Sequence, residues 1–331
     1  MKAFLVDDEF LQRKLVKKSV DWQSIGIELC GEAEDGEEAL EKIFMLKPDI
    51  LIMDINIPYV NGIEVSKRVK KVFPETQVII LTAYGEFEYA KKAILAHKHV
   101  IVEKPFTSTY EQAKELYDLT KENNVYVFEA IMSRYSKNYQ HIQKYLPCIG
   151  DIKMIQCNYS QYSSRYDAYL RHEVLPAFDP EEYGGALYDI NVYNIHFVEG
   201  LFGKPVFTHY EANIGFNGVD TSGTLIMKYP EYIAVCTGAK DSASHNGVMI
   251  QGTKGYIQMD SRPGIIQNLT LHLKDEVINI DVEEMQSPMK TEFEQIASII
   301  EEKDTSTMVL WLENSLEVMK ILSNSRNEIG L

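Results

Sequence analysis

The sequence predicts an α/β fold, a doubly wound parallel sheet followed by an α+β domain with a large, mostly antiparallel sheet. Three observations carry this. Short apolar runs without polar alternation recur through the first 130 residues, separated by segments of helical periodicity. That is the pattern of parallel strands covered on both faces. Carboxylates follow the first and third runs, at Asp7, Asp8 and Asp54, and a parallel sheet binds ligands at this carboxyl edge. Beyond about residue 150 closely spaced strand-like runs take over, as in a broad antiparallel sheet. The first region is therefore flavodoxin-like or Rossmann-like.

Taken in order, Ala3–Val6, Ile27–Ala33, Ile50–Met53, Val78–Leu81, Val100–Val102 and Val125–Phe128 read as strands. Leu11–Val20, Gly36–Met45, Gly62–Val72 and Phe87–Ala96 read as the helices between them. Ser108 with Glu111 has the spacing of a capping box opening a further helix, which Asn123-Asn124 closes. Later strands are expected at Ile152–Ser160, Val206–Asn213, Gly223–Met227, Tyr232–Thr237, Val248–Gln251, Tyr256–Met259 and Leu269–Leu273. Two helices follow, Thr291–Glu302 and Met308–Ser325, the second with Val309, Leu312, Leu316, Met319 and Leu322 on one face. The expected domains are residues 1–130 and 131–331.

Length and composition suit a protein with a sizeable core: 331 residues, 45% hydrophobic and 25% charged. The net charge of −16, from 49 acidic and 33 basic residues, argues against nucleic acid or an anionic membrane as partner. Four cysteines without a CxxC pair, and no apolar leader, point to a reduced, cytoplasmic setting. No run approaches the ~18 apolar residues of a membrane span.

The expected strand order brings Asp7, Asp8, Asp54, Thr82 and Lys104 to one sheet edge. Two carboxylates about 4 Å apart repel by roughly 4 kcal/mol at an effective dielectric near 20. Such a cluster calls for a divalent cation, and oxygen-only ligands favour Mg²⁺. A lone Asp-Asp pair would mean little, since surface carboxylate pairs are common.

Residues 1–94 resemble the receiver domain of two-component response regulators. The resemblance rests on Val6-Asp7-Asp8-Glu9, Asp35-Gly36, Pro48-Asp49-Ile50, Met53-Asp54-Ile55, Pro58, Gly62, Leu81-Thr82-Ala83-Tyr84 and Phe87-Glu88-Tyr89-Ala90. It implies Asp54 as phospho-acceptor, Asp7 and Asp8 helping Asp54 to hold Mg²⁺, Thr82 and Lys104 contacting the phosphoryl group, and a phosphodonor as partner. Two departures stand out: Ile101 three residues before Lys104, where receivers often carry an aromatic, and foreign sequence in place of the last receiver helix.

Residues 95–331 resemble the glucose–fructose oxidoreductase and inositol dehydrogenase family (Gfo/Idh/MocA), with 95–130 completing the first domain. The carrying residues are Glu103-Lys104-Pro105, Phe128-Glu129-Ala130, Gly184-Gly185-Ala186-Leu187-Tyr188-Asp189 with Tyr193 and His196, and Gly252-Thr253-Lys254-Gly255. The resemblance implies a sugar or polyol substrate and a homo-oligomer. It puts Lys104 beside a nicotinamide and Asp189, Tyr193 and His196 at the substrate hydroxyl, Tyr193 first as acid/base. Asn158, Tyr159, Arg165, Tyr166, Asp179, Asn191 and Asn194 are further polar candidates for the pocket wall.

The two resemblances conflict at the first turn. A dinucleotide needs a glycine-rich turn there, but the chain reads Asp7-Asp8-Glu9-Phe10-Leu11-Gln12 and has no GxGxxG. Each close like-charge contact costs on the order of 1–4 kcal/mol, against roughly 8 kcal/mol for a micromolar ligand. The expectation is that NAD(P) binding and dehydrogenase activity are impaired or absent. Both families share a strand ending in Lys104-Pro105, so the chain reads as an engineered chimera crossing over through one strand. A working NAD(P)-dependent oxidoreductase and a phosphorelay protein phosphorylated on Asp54 are the alternatives.

Overall fold

The structure, a computed structural model, describes residues 1–23, 25–82, 87–282 and 288–331, without the side chains of Ser19, Leu81 and Thr82. Two compact units emerge. The first comprises Met1–Thr107, Lys114–Ala130 and Met289–Leu312; the second comprises Ser108–Ala113, Ile131–Pro288 and Glu313–Leu331. The chain thus returns to the first unit near its end, which the linear division at residue 130 does not register.

In the N-terminal region the elements run β1 (Lys2–Val6), α1 (Phe10–Ser19), β2 (Glu28–Ala33), α2 (Gly36–Leu46), β3 (Ile50–Asp54), α3 (Gly62–Val72), β4 (Gln77–Thr82), α4 (Phe87–Leu95), β5 (His99–Glu103), α5 (Tyr110–Asn123) and β6 (Val127–Ala130). The six strands form one parallel sheet in the order β2-β1-β3-β4-β5-β6. Phe4, Leu5, Leu51, Met53, Ile80 and Val100 are fully buried, so the absence of alternation in the sequence reports burial on both faces. Side-chain caps fix two helix starts: Asp35 accepts from the amides of Glu37 and Glu38, and Asn61 from that of Glu64. The capping box of α5 is one residue later than expected. Thr109 Oγ1 accepts from the Gln112 amide at 3.3 Å and Gln112 Oε1 accepts from the Thr109 amide at 3.3 Å, because glutamine reaches back where Glu111 does not.

The rest of the chain continues with α6 (Met132–Tyr135), α7 (Lys137–Tyr145), β7 (Ile152–Ser160), α8 (Tyr166–Leu170), a π-helical turn over Leu187–Asn191, and α9 (Val192–Phe202). Then come β8 (Phe207–Ile214), β9 (Asp220–Lys228), β10 (Ile233–Ala239), β11 (Gly247–Gly252), β12 (Gly255–Met259), β13 (Leu269–Leu273), β14 (Val277–Asn279), α10 (Pro288–Glu301) and α11 (Thr305–Glu328). The eight-stranded sheet has the order β14-β13-β12-β11-β7-β10-β9-β8, antiparallel except where β7 lies parallel to β10. Buried amides dock α9 on it: Asn191 Nδ2 donates to Cys236 O at 2.9 Å and Asn194 Nδ2 to Thr237 O at 2.8 Å. Among the described residues no helix is long and apolar enough to cross a membrane.

Candidate functional site

At the carboxyl edge of the parallel sheet, Asp7 follows β1 and Asp54 ends β3. One carboxylate oxygen from each of Asp7, Asp8 and Asp54 falls in a group whose members all lie within 4.8 Å of one another. Asp7 is buried, Asp54 half-buried and Asp8 exposed, so the cluster opens to solvent on one side. Backbone amides hold two of the carboxylates: Glu9 N donates to Asp7 Oδ1 at 2.7 Å and Ile55 N to Asp54 Oδ1 at 2.6 Å. Arg13 Nη1 donates to the Asp7 carbonyl at 2.5 Å, fixing the turn from below.

Burial, and then the charges of Asp54, Asp8 and Glu9, push the Asp7 carboxyl up to about 6 against the pull of the Glu9 amide. Asp54 is raised too, by burial first and by Asp8 and Glu9. Like charges held together against their own repulsion, with oxygen donors only, fit a hard divalent cation such as Mg²⁺.

Lys104 follows β5 at the same sheet edge, with β4 between β5 and β3; its peptide bond to Pro105 is cis. Thr82 ends β4, and its side chain lies outside the described residues, as do Ala83 and Tyr84. Sequence reasoning missed a set of acids nearby on β5, β6 and α10. Glu292 is 4% exposed, and burial together with Glu103 and Glu129 raises its carboxyl well above the ordinary range. Nothing in the sequence periodicity marks Glu292, since it lies on an otherwise ordinary amphipathic helix.

The β1–α1 turn does not fit a dinucleotide diphosphate. Asp7 Oδ1 already occupies the Glu9 amide, and Phe10 and Leu11 stand exposed in the first turn of α1. A diphosphate needs that amide free and a turn without side chains.

In the second unit the predicted residues spread around the π-turn. Asp189 lies within it, and its Oδ2 pairs with Lys240 Nζ at 2.8 Å. Lys240 also donates to the Ala177 carbonyl and sits 4.4 Å from the centre of the Phe178 ring. Sequence reasoning missed Lys240; the signal was a lysine closing the apolar strand Ile233–Ala239. Tyr193, in the first turn of α9, meets Tyr159 with ring centres 5.9 Å apart. His196 is buried, its Nδ1 3.5 Å from Arg134 Nη2.

Of the other polar candidates, Asn158 Nδ2 ties down Ser244 and His245 O, and Asp179 Oδ1 accepts from the Glu181 amide. Asn191 and Asn194 bind β10 as above, and Tyr166, following Arg165, stacks on Tyr169. Tyr159 carries a hydrogen bond from Arg262.

Comparison with known proteins accords with both halves. Residues 3–114 match the response regulator receiver domain, and residues 148–258 match the GFO/IDH/MocA C-terminal domain. The receiver match runs past residue 94, through β5 and into the start of α5. The chain is 34% identical over 237 residues to scyllo-inositol 2-dehydrogenase (NADP(+)) IolU of Bacillus subtilis, covering 71% of each chain. It is 37% identical over 105 residues to the chemotaxis protein CheY of Thermotoga maritima, covering 32% of this chain and 86% of that one. In fold it is similar to an inositol dehydrogenase homolog from Azotobacter vinelandii complexed with NADH and myo-inositol, with a TM-score of 0.74, 13% identity, and 99% and 94% of the two chains covered. The chain belongs to the GFO/IDH/MocA oxidoreductase family and carries a response regulator receiver domain at its N-terminal end.

Proposed function

We propose that the chain is a composite in which a Mg²⁺-dependent phospho-acceptor site at Asp54 is carried on an oxidoreductase scaffold with impaired dehydrogenase activity. The supporting observation is the convergence of Asp7, Asp8 and Asp54 at the open edge of the sheet. In this reading the three carboxylates hold the cation, and an Asp54 oxygen attacks the phosphorus of a small phosphodonor. The bond from phosphorus to the donor's leaving group breaks as the acyl phosphate forms, and Lys104 and Thr82 contact the phosphoryl oxygens. Bound Mg²⁺ would neutralise charge on the phosphoryl group. Incubation with acetyl phosphate and Mg²⁺ should add one phosphoryl mass, and Asp54→Asn should abolish it. Phosphorylation that persists in that variant, or none in the parent, overturns the assignment.

A second reading, an NAD(P)-dependent oxidoreductase acting on a sugar or polyol, is favoured by the identity to an NADP(+)-dependent inositol dehydrogenase. The nicotinamide ligand of the structural neighbour counts against the expectation that the cofactor is lost. Tyr193 is the acid/base in this reading, with Asp189 and His196 beside the reacting hydroxyl, in a homo-oligomer; Lys104 keeps the role beside a nicotinamide that the family resemblance implies. Titration of NADH and NADPH, with and without Mg²⁺, separates the two. Saturable micromolar binding supports the oxidoreductase and removes the argument from the acidic turn; no binding in any condition leaves the phospho-acceptor alone. The engineered-chimera origin belongs to the first reading, since the receiver-like and oxidoreductase-like segments meet at β5, a strand that suits both families.

A further inference from the structure

Arg262 lies in the turn between β12 and β13, and that turn is braced. Ser261 Oγ lies within hydrogen-bond reach of two carbonyl oxygens, Ile265 O at 2.7 Å and Gln267 O at 2.9 Å, and Ile265 N donates to Arg262 O at 2.8 Å. Gly264 in the same turn rests on Tyr193: a Cβ added there would stand 3.1 Å from the ring. The turn is therefore held directly against the tyrosine of the proposed acid/base role.

The exposed Arg262 side chain leans over the neighbouring Tyr159. Its Nη1 donates to the Tyr159 hydroxyl at 3.2 Å, and its guanidinium carbon is 5.8 Å from the ring centre. Tyr159 in turn packs on Tyr193. Among the described residues no carboxylate pairs with Arg262; Asp260, close in sequence, is engaged by His245 at 3.3 Å and Gln258 Nε2 at 2.8 Å. In a chain with 49 acidic residues, a guanidinium oriented by a tyrosine hydroxyl and left without a carboxylate is a directed positive charge. Its fork of donors matches a carboxylate or phosphate.

We propose that Arg262 is a specificity-determining residue that pairs with an anionic substituent of the substrate, so that the second unit takes an acidic sugar or polyol carrying a carboxylate or a phosphate. This rests on the oxidoreductase reading of Tyr193. The Tyr159 hydroxyl and the exposed Gln161 amide, 3.5 Å apart, provide further polar contacts beside the guanidinium.

The test is calorimetric binding of matched probes to the full chain: glucose against glucuronate, and glucose against glucose 6-phosphate. The expected result is at least about tenfold tighter binding of an anionic member, the size of effect a charge-assisted pair supports. The arm with the larger gain identifies carboxylate or phosphate. Arg262→Gln should bring that pair to parity while glucose affinity holds, and Arg171→Gln, at a surface pair with Glu173, should change nothing. Equal binding by the parent, or a preference that survives Arg262→Gln, overturns the role of Arg262 while neutral-sugar binding preserves the polyol reading. Failure to bind any of the probes overturns both.

Discussion

Lys240 Nζ stands 2.8 Å from Asp189 Oδ2, with the lysine side chain 2% exposed and the aspartate side chain 41% exposed. The pair is lopsided. One charge is sealed inside the second unit beside the Phe178 ring, and the other reaches water. The partner that can be rehydrated when the pair is broken is therefore Asp189, not Lys240.

That asymmetry sets an order of effects. Asp189→Asn removes one counter-charge of the buried ammonium, which still interacts with the buried Asp220, and should cost about 3 kcal/mol of stability. Lys240→Met removes the buried charge itself; water can solvate Asp189, and the buried Asp220, whose carboxyl burial already pushes up to about 6, can take a proton, so at about pH 6 the cost should be about half as large. Chemical denaturation of both variants checks the ranking; a larger loss in Lys240→Met would sink the argument.

The acidic edge predicts opposite pH responses with and without cation. The folded pKa of Asp7, about 6, lies above the ordinary carboxylate value of 3.8. The native state therefore binds the proton more tightly than the unfolded chain. The stability this gives is complete below the ordinary value and is lost as pH rises through about 6. Mg²⁺ competes with that proton, so its stabilisation should be small near pH 5 and grow toward neutrality. Thermal melts in EDTA and in millimolar Mg²⁺ across this interval test it. A Mg²⁺ shift of equal size at every pH would refute the site.

Much of this edge is legible in the sequence because a parallel sheet puts every strand's carboxyl end on one side. Once the apolar runs at Ala3–Val6 and Ile50–Met53 are read as strands, Asp7 and Asp54 must converge. The pairing of Lys240 with Asp189 has no such rule behind it. It depends on how the end of β10 meets the π-turn, a tertiary event with no local period. The strand Val277–Asn279 was missed because three residues at a sheet edge carry too little alternation. The return of Met289–Leu312 to the first unit was missed because amphipathicity states that a helix buries one face, not against what.

Glu199 on α9 offers a stability test independent of either reading. It is 3% exposed; Oε1 accepts from Asn314 Nδ2 at 3.1 Å, while Oε2 has no partner among the described residues. Burial pushes its carboxyl up to about 7, against Arg134 and Asn314, which pull it down. With the folded value above the ordinary one, the stability it gives is present in acid and is lost as pH rises through about 7. Glu199→Gln removes that ionisation and should raise stability above pH 8 by up to about 3 kcal/mol, with little change near pH 5. Melts of the two proteins that run parallel at all pH values would show that Glu199 does not titrate in this range.

Gly62 links the start of α3 to Asp54, the proposed phospho-acceptor. A Cβ at this position would stand 2.1 Å from the Asp54 carbonyl oxygen and 2.7 Å from Met53 Cγ. The neighbour that must give way is backbone, so the end of β3 has to move, and the Asp54 carboxylate moves with it. Gly62→Ala should cost about 2 kcal/mol through this overpacking and weaken Mg²⁺ binding about tenfold, since carboxylate geometry sets cation affinity. Asp54→Asn should weaken Mg²⁺ binding as well, but without the loss of stability, because it relieves like-charge repulsion instead of creating a clash. Calorimetric Mg²⁺ titration together with denaturation distinguishes the two variants. Full Mg²⁺ affinity in Gly62→Ala would mean that the cation does not depend on where β3 places Asp54.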